Sequence, residues 1–303
     1  MNGAARSQTD EETRNPERRG LKKGLYLVPS AFTAANIGMG FYAVMAAVRG
    51  FQFVGNGTEG DLIHAAGYLD NAAKAIGWAV LFDMLDGRIA RMTRTTTEIG
   101  IQLDSIADVV TFGLAPAVLA YVWGYGASLE EGTDLHRLAW FLSFMYLMCG
   151  AFRLARFNVQ AMRPRILAEG TIKVDKKSFV GLPIPVAGGL IAAIVHFNPM
   201  PLVQYGSERS QVYSGLLMAL VGFLSILMVS TLKFSSFKTV GTRSRSMRTI
   251  IAAMAVGMLI FLYSRYVLLG MIAVYILHGL LSRVFGMFRH RSDLREPKEA
   301  KQT

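Results

Sequence analysis

Four aspartates and several small residues recur at regular intervals between positions 83 and 108, in the stretch VLFDMLDGRIARMTRTTTEIGIQLDSIADVV. Asp83 and Asp86 are three residues apart and Asp104 and Asp108 four apart, so on helices each pair shares one face. The polar link from Thr93 to Glu98 is short and makes the two helices antiparallel neighbours whose acidic pairs confront one another. Four such side chains repel unless they are partly protonated or hold divalent cations, and an all-oxygen donor set suits Mg2+, Mn2+ or Ca2+ over zinc. Gly87 lies one turn from Asp83, Ala90 one turn from Asp86 and Gly100 one turn before Asp104, which leaves that surface open to a flat or bulky ligand. Arg91, one turn beyond Gly87, can set a cation against phosphate oxygens.

The elements that must carry these residues are membrane helices. Of 303 residues, 52% are hydrophobic and only 17% charged, which excludes an ordinary soluble domain. Windows long enough to cross the hydrocarbon fall at 28–48, 73–92, 104–123, 138–157, 182–198, 212–232, 247–263 and 266–285. Their continuous apolar runs exclude a β-barrel, so the expected fold is an all-α polytopic membrane protein of about eight helices. Within it we expect a disordered basic tail at 1–27, a six-helix catalytic membrane domain at 28–232, a loop and C-terminal transmembrane hairpin at 233–286, and a charged tail at 287–303. The first 23 residues have no apolar core and read as a tail, not a cleavable signal. Four charged, unpaired aspartates on such helices would cost roughly 10 kcal/mol near mid-membrane, and intramembrane acids are functional by default.

The net charge of +11 would suggest nucleic acid in a soluble protein; in this apolar chain it marks loops facing anionic lipid, and no nucleic-acid partner is expected. Alternate loops hold most of the cations: six Lys and Arg in the N-terminal tail, five in 157–181, five in 233–248 and six in 283–303. The opposite loops carry Asp61, Asp70, Lys74, Glu130, Glu131 and Asp134 among others. The positive-inside rule then places both termini and the aspartates at the cytoplasmic face. The lone cysteine, Cys149, permits no intramolecular disulfide. The five histidines share no helix face at ligand spacing, so zinc is not expected.

The pattern D-x2-D-G-x2-A-R-x8-G-x3-D-x3-D, from Asp83 to Asp108, resembles the signature of the CDP-alcohol phosphatidyltransferases without a departure. The segments PSAFTAANIGMGF at 29–41, TFGLAPA at 111–117, FRLARFN at 152–158 and FVGLPIP at 179–185 are similar to the phosphatidylserine synthase branch of that family. The resemblance implies transfer of a phosphatidyl group from CDP-diacylglycerol to L-serine, with CMP released, by a homodimer in the bacterial inner membrane with a cytoplasmic active site. It implies one or two Mg2+ or Mn2+ ions held by Asp83, Asp86, Asp104 and Asp108, with Asp108 also a candidate base. Gly87, Ala90, Arg91 and Gly100 would receive the nucleotide and diphosphate. Arg153 and Arg156, three apart at the end of the fourth span, could take the serine carboxylate, a lipid phosphate or only headgroups, and Asn158 could orient the serine amine. Pro183 and Pro185 would start the fifth span or break its first turn.

Two other readings stay open at this level. Within the family the acceptor could be glycerol 3-phosphate, inositol phosphate or choline. A cation transporter would also place acids between membrane helices, but the acids cluster at one end of two helices and none of comparable kind continues toward the other face. The last two spans receive no chemistry.

Overall fold

Helix-forming, continuously apolar segments account for nearly all of the architecture. The structure, a computed structural model, describes the backbone at residues 16–55, 58–93, 98–162, 179–231, 233–234, 263–279 and 281. Side chains are described at those positions except 16–30, 89–93, 98, 160–162, 179–180 and 233–234. The helices are α1 (Pro16–Val54), α2 (Glu59–Thr93), α3 (Glu98–Asp108), α4 (Ala115–Ala120), α5 (Asp134–Met162), α6 (Ile184–Phe197) and α7 (Ser207–Val229); a further helix, α8, covers 263–279. Strands β1 (Phe179–Val180) and β2 (Lys233–Phe234) form a minimal antiparallel ladder.

Stretches Ala31–Val54, Ile99–Tyr125, Asp134–Val159 and Ser207–Val229 are long and apolar enough to cross a membrane. Helix α2 has the length, at 35 residues, but carries Asp70, Lys74, Asp83 and Asp86 within its run. Helix α6 is apolar and shorter, at 14 residues. The expected seventh span lies almost wholly outside the described residues, and α8 overlaps most of the eighth. Large apolar side chains point outward, among them Phe41, Trp140, Leu216 and Ile226, each more than 60% exposed. Such a surface is intolerable in water and ordinary against lipid. The chain is an all-α polytopic membrane protein.

Between helices in lipid, association comes from close packing rather than from escape from water. The buried faces of α1 and α2, the most extensively packed helix pair, are therefore lined by small residues: Ala43, Ala46 and Ala47 on one, Ala65, Ala72, Ala75 and Ala79 on the other. Thr58 caps α2, accepting from the Asp61 amide at 3.2 Å, and Thr133 caps α5, accepting from the His136 amide at 3.3 Å; each satisfies an orphan donor of the first turn. Helix α1 begins at Pro16, so residues 16–27, expected to be disordered, are helical. Proline's missing N–H and fixed φ suit a first helical position, which explains the start.

The third span is not one regular α-helix. Between α3 and α4 the backbone widens into a π-helical turn at Val109–Leu114, and another follows α4 at Tyr121–Tyr125. Pro116 has no N–H to offer the Phe112 carbonyl one turn back, and the Tyr146 hydroxyl of α5 donates there at 3.1 Å. Gly188 of α6 packs on this widened turn: a Cβ there would lie 3.0 Å from the Phe112 carbonyl oxygen. The FVGLPIP segment follows the same logic. Gly181 sits at φ +83°, and a Cβ would meet the Met228 carbonyl carbon at 3.2 Å, while Pro183 caps α6 and Pro185 occupies its first turn.

Candidate active site

Helix α2 delivers Asp83 and Asp86, and α3 delivers Asp104 and Asp108 immediately before the π-helical turn. A widened turn displaces the face that follows it, and such turns often accompany functional sites. Carboxylate oxygens of Asp83, Asp104 and Asp108 come within 4.8 Å of one another. Asp108 is buried and its Oδ1 makes no hydrogen bond. Asp86 is also buried but turns aside, accepting a hydrogen bond from the Thr33 hydroxyl of α1; it stays close enough to Asp104 for their charges to interact. Sequence spacing brought all four acids to one place, and the structure divides them into a group of three and a neighbour tied to α1.

Helix α1 closes over this group. Thr111, in the π-helical turn, donates to the Asn36 carbonyl at 3.0 Å, and a Cβ on Gly40 would lie 2.8 Å from the Thr111 Cα. Only glycine allows the two backbones to approach so closely. Asn36 is 1% exposed and its side chain interacts with Asp108, but neither Oδ1 nor Nδ2 reaches full hydrogen-bond geometry with any partner. Sequence reasoning passed over Thr33 and Asn36 as chemistry. The signal was present: two polar residues three apart, on one face of an apolar helix.

The remaining expected residues scatter in role. Gly87 is part-buried on α2 one turn beyond Asp83, and Gly100 is exposed on α3 one turn before Asp104. The side chains of Ala90 and Arg91 lie outside the described residues. Arg153 of α5 is part-buried and interacts electrostatically with Asp108, and its Nε is buried without a partner. Arg156 is exposed. Asn158 gives its amide N–H to the Ser105 hydroxyl at 2.8 Å, bracing α5 against α3 beside Asp104. Tyr275 of α8 interacts electrostatically with Arg153, so this helix, given no chemistry from sequence, lies near the edge of the site.

Three carboxylates within one ion's reach form an acidic cluster suited to a metal ion, with all-oxygen donors. A model of CDP-alcohol phosphatidyltransferases matches residues 26–227, from within α1 through most of α7. The chain belongs to the CDP-alcohol phosphatidyltransferase family. Among curated proteins, CDP-diacylglycerol–serine O-phosphatidyltransferase of Helicobacter pylori is 29% identical over 266 residues, covering 88% of this chain and 94% of the relative. The protein of that name from Methanocaldococcus jannaschii is 34% identical over 167 residues, 55% of this chain and 65% of the relative. Archaetidylserine synthase of Methanothermobacter thermautotrophicus is 31% identical over 175 residues, 57% of this chain and 61% of the relative. The family match includes all four aspartates together with Thr33, Asn36 and Arg153, whereas α8 lies beyond it.

Proposed function

We propose that this CDP-alcohol phosphatidyltransferase moves the phosphatidyl group of CDP-diacylglycerol to the hydroxyl of L-serine, giving phosphatidylserine and CMP. The observation that carries the reading is the convergence of Asp83, Asp104 and Asp108 inside a family match; the serine transferases among the relatives favour the acceptor.

In this reaction the serine hydroxyl oxygen forms a bond to the phosphorus that bears diacylglycerol. The bond from that phosphorus to the bridging oxygen breaks, CMP leaves with the electron pair, and the hydroxyl proton passes to a base. Asp83, Asp104 and Asp108 would hold Mg2+ or Mn2+, since a carboxylate oxygen from each converges on one place. Bound there, one or two such ions neutralise the diphosphate, the main requirement of phosphoryl transfer. Asp86, fixed by Thr33, supports the cluster from the side. Asp108 is the deepest of the acids along α3 and the one beside Asn36 and Arg153; it accepts the serine proton. Gly87 and Gly100 leave room for the nucleotide, and Arg91 meets the diphosphate. The protein works as a homodimer of the bacterial inner membrane, with its active site and both termini cytoplasmic as the basic loops require.

The deciding experiment is an acceptor screen with purified protein in detergent. CMP release from CDP-diacylglycerol should require L-serine and either Mg2+ or Mn2+, and should stop with a chelator and return when metal is restored. Release with glycerol 3-phosphate, inositol phosphate or choline but not with serine would move the protein to another acceptor.

A further inference from the structure

Among the described residues, five buried side-chain atoms lack a hydrogen-bond partner: Asn36 Nδ2 and Oδ1, Asp108 Oδ1, Arg153 Nε and Ser210 Oγ. Four of the five gather near Asp108: α1 is tied at Asn36 to Thr111, α5 at Asn158 to Ser105, and Asn36 and Arg153 both act on Asp108. A buried polar group without a partner costs about 1–3 kcal/mol, and a cluster of them marks a place where something else supplies the bonds. The three acids already account for a cation; they leave the amide and the guanidinium unexplained.

We propose that Asn36 and Arg153, flanking Asp108, read the charged groups of an amino-acid acceptor, with Asn36 setting specificity for a zwitterion. The inference rests on the transferase reading above and adds a residue to it. The free atoms are two donors, Asn36 Nδ2 and Arg153 Nε, and two acceptors, Asn36 Oδ1 and Asp108 Oδ1. A carboxylate takes both donors, an ammonium fills Asn36 Oδ1, and a hydroxyl turns to Asp108 Oδ1. L-Serine carries these three groups on adjacent carbons, so its hydroxyl faces the acid that must take its proton. Choline would leave both donors unmet. Glycerol 3-phosphate brings a doubly charged group to a pocket with one arginine, since Arg156 is exposed, and has no ammonium for Asn36. The backbone that carries the amide is fixed: the Thr111 hydroxyl holds the Asn36 main-chain carbonyl, Thr33 is tied to Asp86, and Gly40 presses α1 on Thr111. A group fixed in this way loses little freedom on binding.

The test compares Asn36→Ala and Asn36→Asp with the unaltered protein, measuring serine-dependent CMP release and equilibrium binding of radiolabelled L-serine to the purified protein with CMP present. Replacing the amide by alanine should raise the KM for serine roughly 10- to 100-fold, and the aspartate, which repels the carboxylate, more; the KM for CDP-diacylglycerol should move less than about twofold. A serine KM that stays put, or moves in step with that for CDP-diacylglycerol, overturns the assignment and makes Asn36 a prop of the acidic cluster. A measurement on the unaltered protein keeps the proposal falsifiable if both variants misfold. Ethanolamine, which lacks the carboxylate, and 3-hydroxypropionate, which lacks the ammonium, should compete at least about tenfold more weakly than L-serine, and equal competition by either refutes the zwitterion pocket. Absence of serine-dependent CMP release from the unaltered protein sinks the functional reading and this proposal with it; normal release with unmoved serine constants in the variants sinks only the role of Asn36.

Discussion

Helix α2 carries buried acids at two places about 20 Å apart along its axis, and the two places treat negative charge in opposite ways. At Asp70 every valence is met within the protein. Its Oδ1 lies 2.5 Å from His196 Nδ1 of α6, its Oδ2 lies 2.7 Å from Lys74 Nζ one turn along α2, and His196 Nε2 lies 3.0 Å from the Ser264 hydroxyl of α8. At Asp83, Asp104 and Asp108 like charges are crowded together, while the nearest amide and guanidinium keep free donors. Burial is similar: Asp70 is 8% exposed and Asp108 9%. Depth alone therefore separates nothing; the satisfied cluster fastens three helices, and the unsatisfied one waits for a ligand.

The sharpest way to break this distinction is to neutralise one acid at each place. Asp83→Asn, Asp104→Asn and Asp108→Asn should each lower serine-dependent CMP release on the order of 10²- to 10³-fold. The melting temperature in detergent should hold or rise, because like charges are removed. A melting temperature that collapses in all three would make the acids structural. At the other place the outcome inverts. His196→Ala leaves Asp70 with Lys74 alone and Ser264 without its partner, and should cost about 2–3 kcal/mol of stability, read as a lower denaturation midpoint. Activity per folded molecule should stay within about twofold; a loss as deep as that of Asp108→Asn would mean the two clusters are one machine.

The contrast between the two places also marks what the sequence could and could not disclose. The acidic trio was legible because helix periodicity is local: spacings of three and four, with a short polar link, bring Asp83, Asp104 and Asp108 together. The departure of Asp86 toward Thr33 was not, since a shared helix face does not fix which partner each side chain takes, and only the neighbouring helix decides what it meets. Asn36 escaped for the same reason: an asparagine in an apolar helix announces that it needs partners without naming them. The apolar windows alone make Asp70 a loop acid on the far side. In fact α2 begins at Glu59, behind the Thr58 cap, so Asp70 is helical and buried, and an acid does continue toward the other end. Lys74 at i+4 was visible in the chain, but His196 and Ser264 lie 126 and 68 residues beyond their respective partners, which no spacing could supply. The π-helical turns had one local sign, Pro116.

Smaller substitutions sharpen the comparison further. Thr33→Val keeps the shape of the side chain but withdraws the hydroxyl from Asp86, leaving a buried acid short of a donor beside Asp104. The expected loss is about tenfold in kcat, corresponding to a charged hydrogen bond near 1.5 kcal/mol, with little change in melting temperature. A drop in melting temperature without a drop in kcat would move Asp86 into the structural class with Asp70.

Ser264→Ala should have the smallest effect and tests whether the two places communicate. Removing the hydroxyl costs His196 one hydrogen bond of 3.0 Å, about 1 kcal/mol, and the other bonds to Asp70 remain. Ser264 lies on α8, however, and Tyr275 of the same helix interacts with Arg153, about 16 Å further along the axis. If α8 is held along its length by packing such as Ile272 against Gly189, where an added Cβ would lie 3.5 Å away, a loosening around Ser264 stays local. The melting temperature then falls slightly and both KM values stand still. If Ser264→Ala instead raises the KM for serine while leaving that for CDP-diacylglycerol, the satisfied cluster sets the position of Arg153 through α8, and the division between a fastening site and a reacting site fails at that helix.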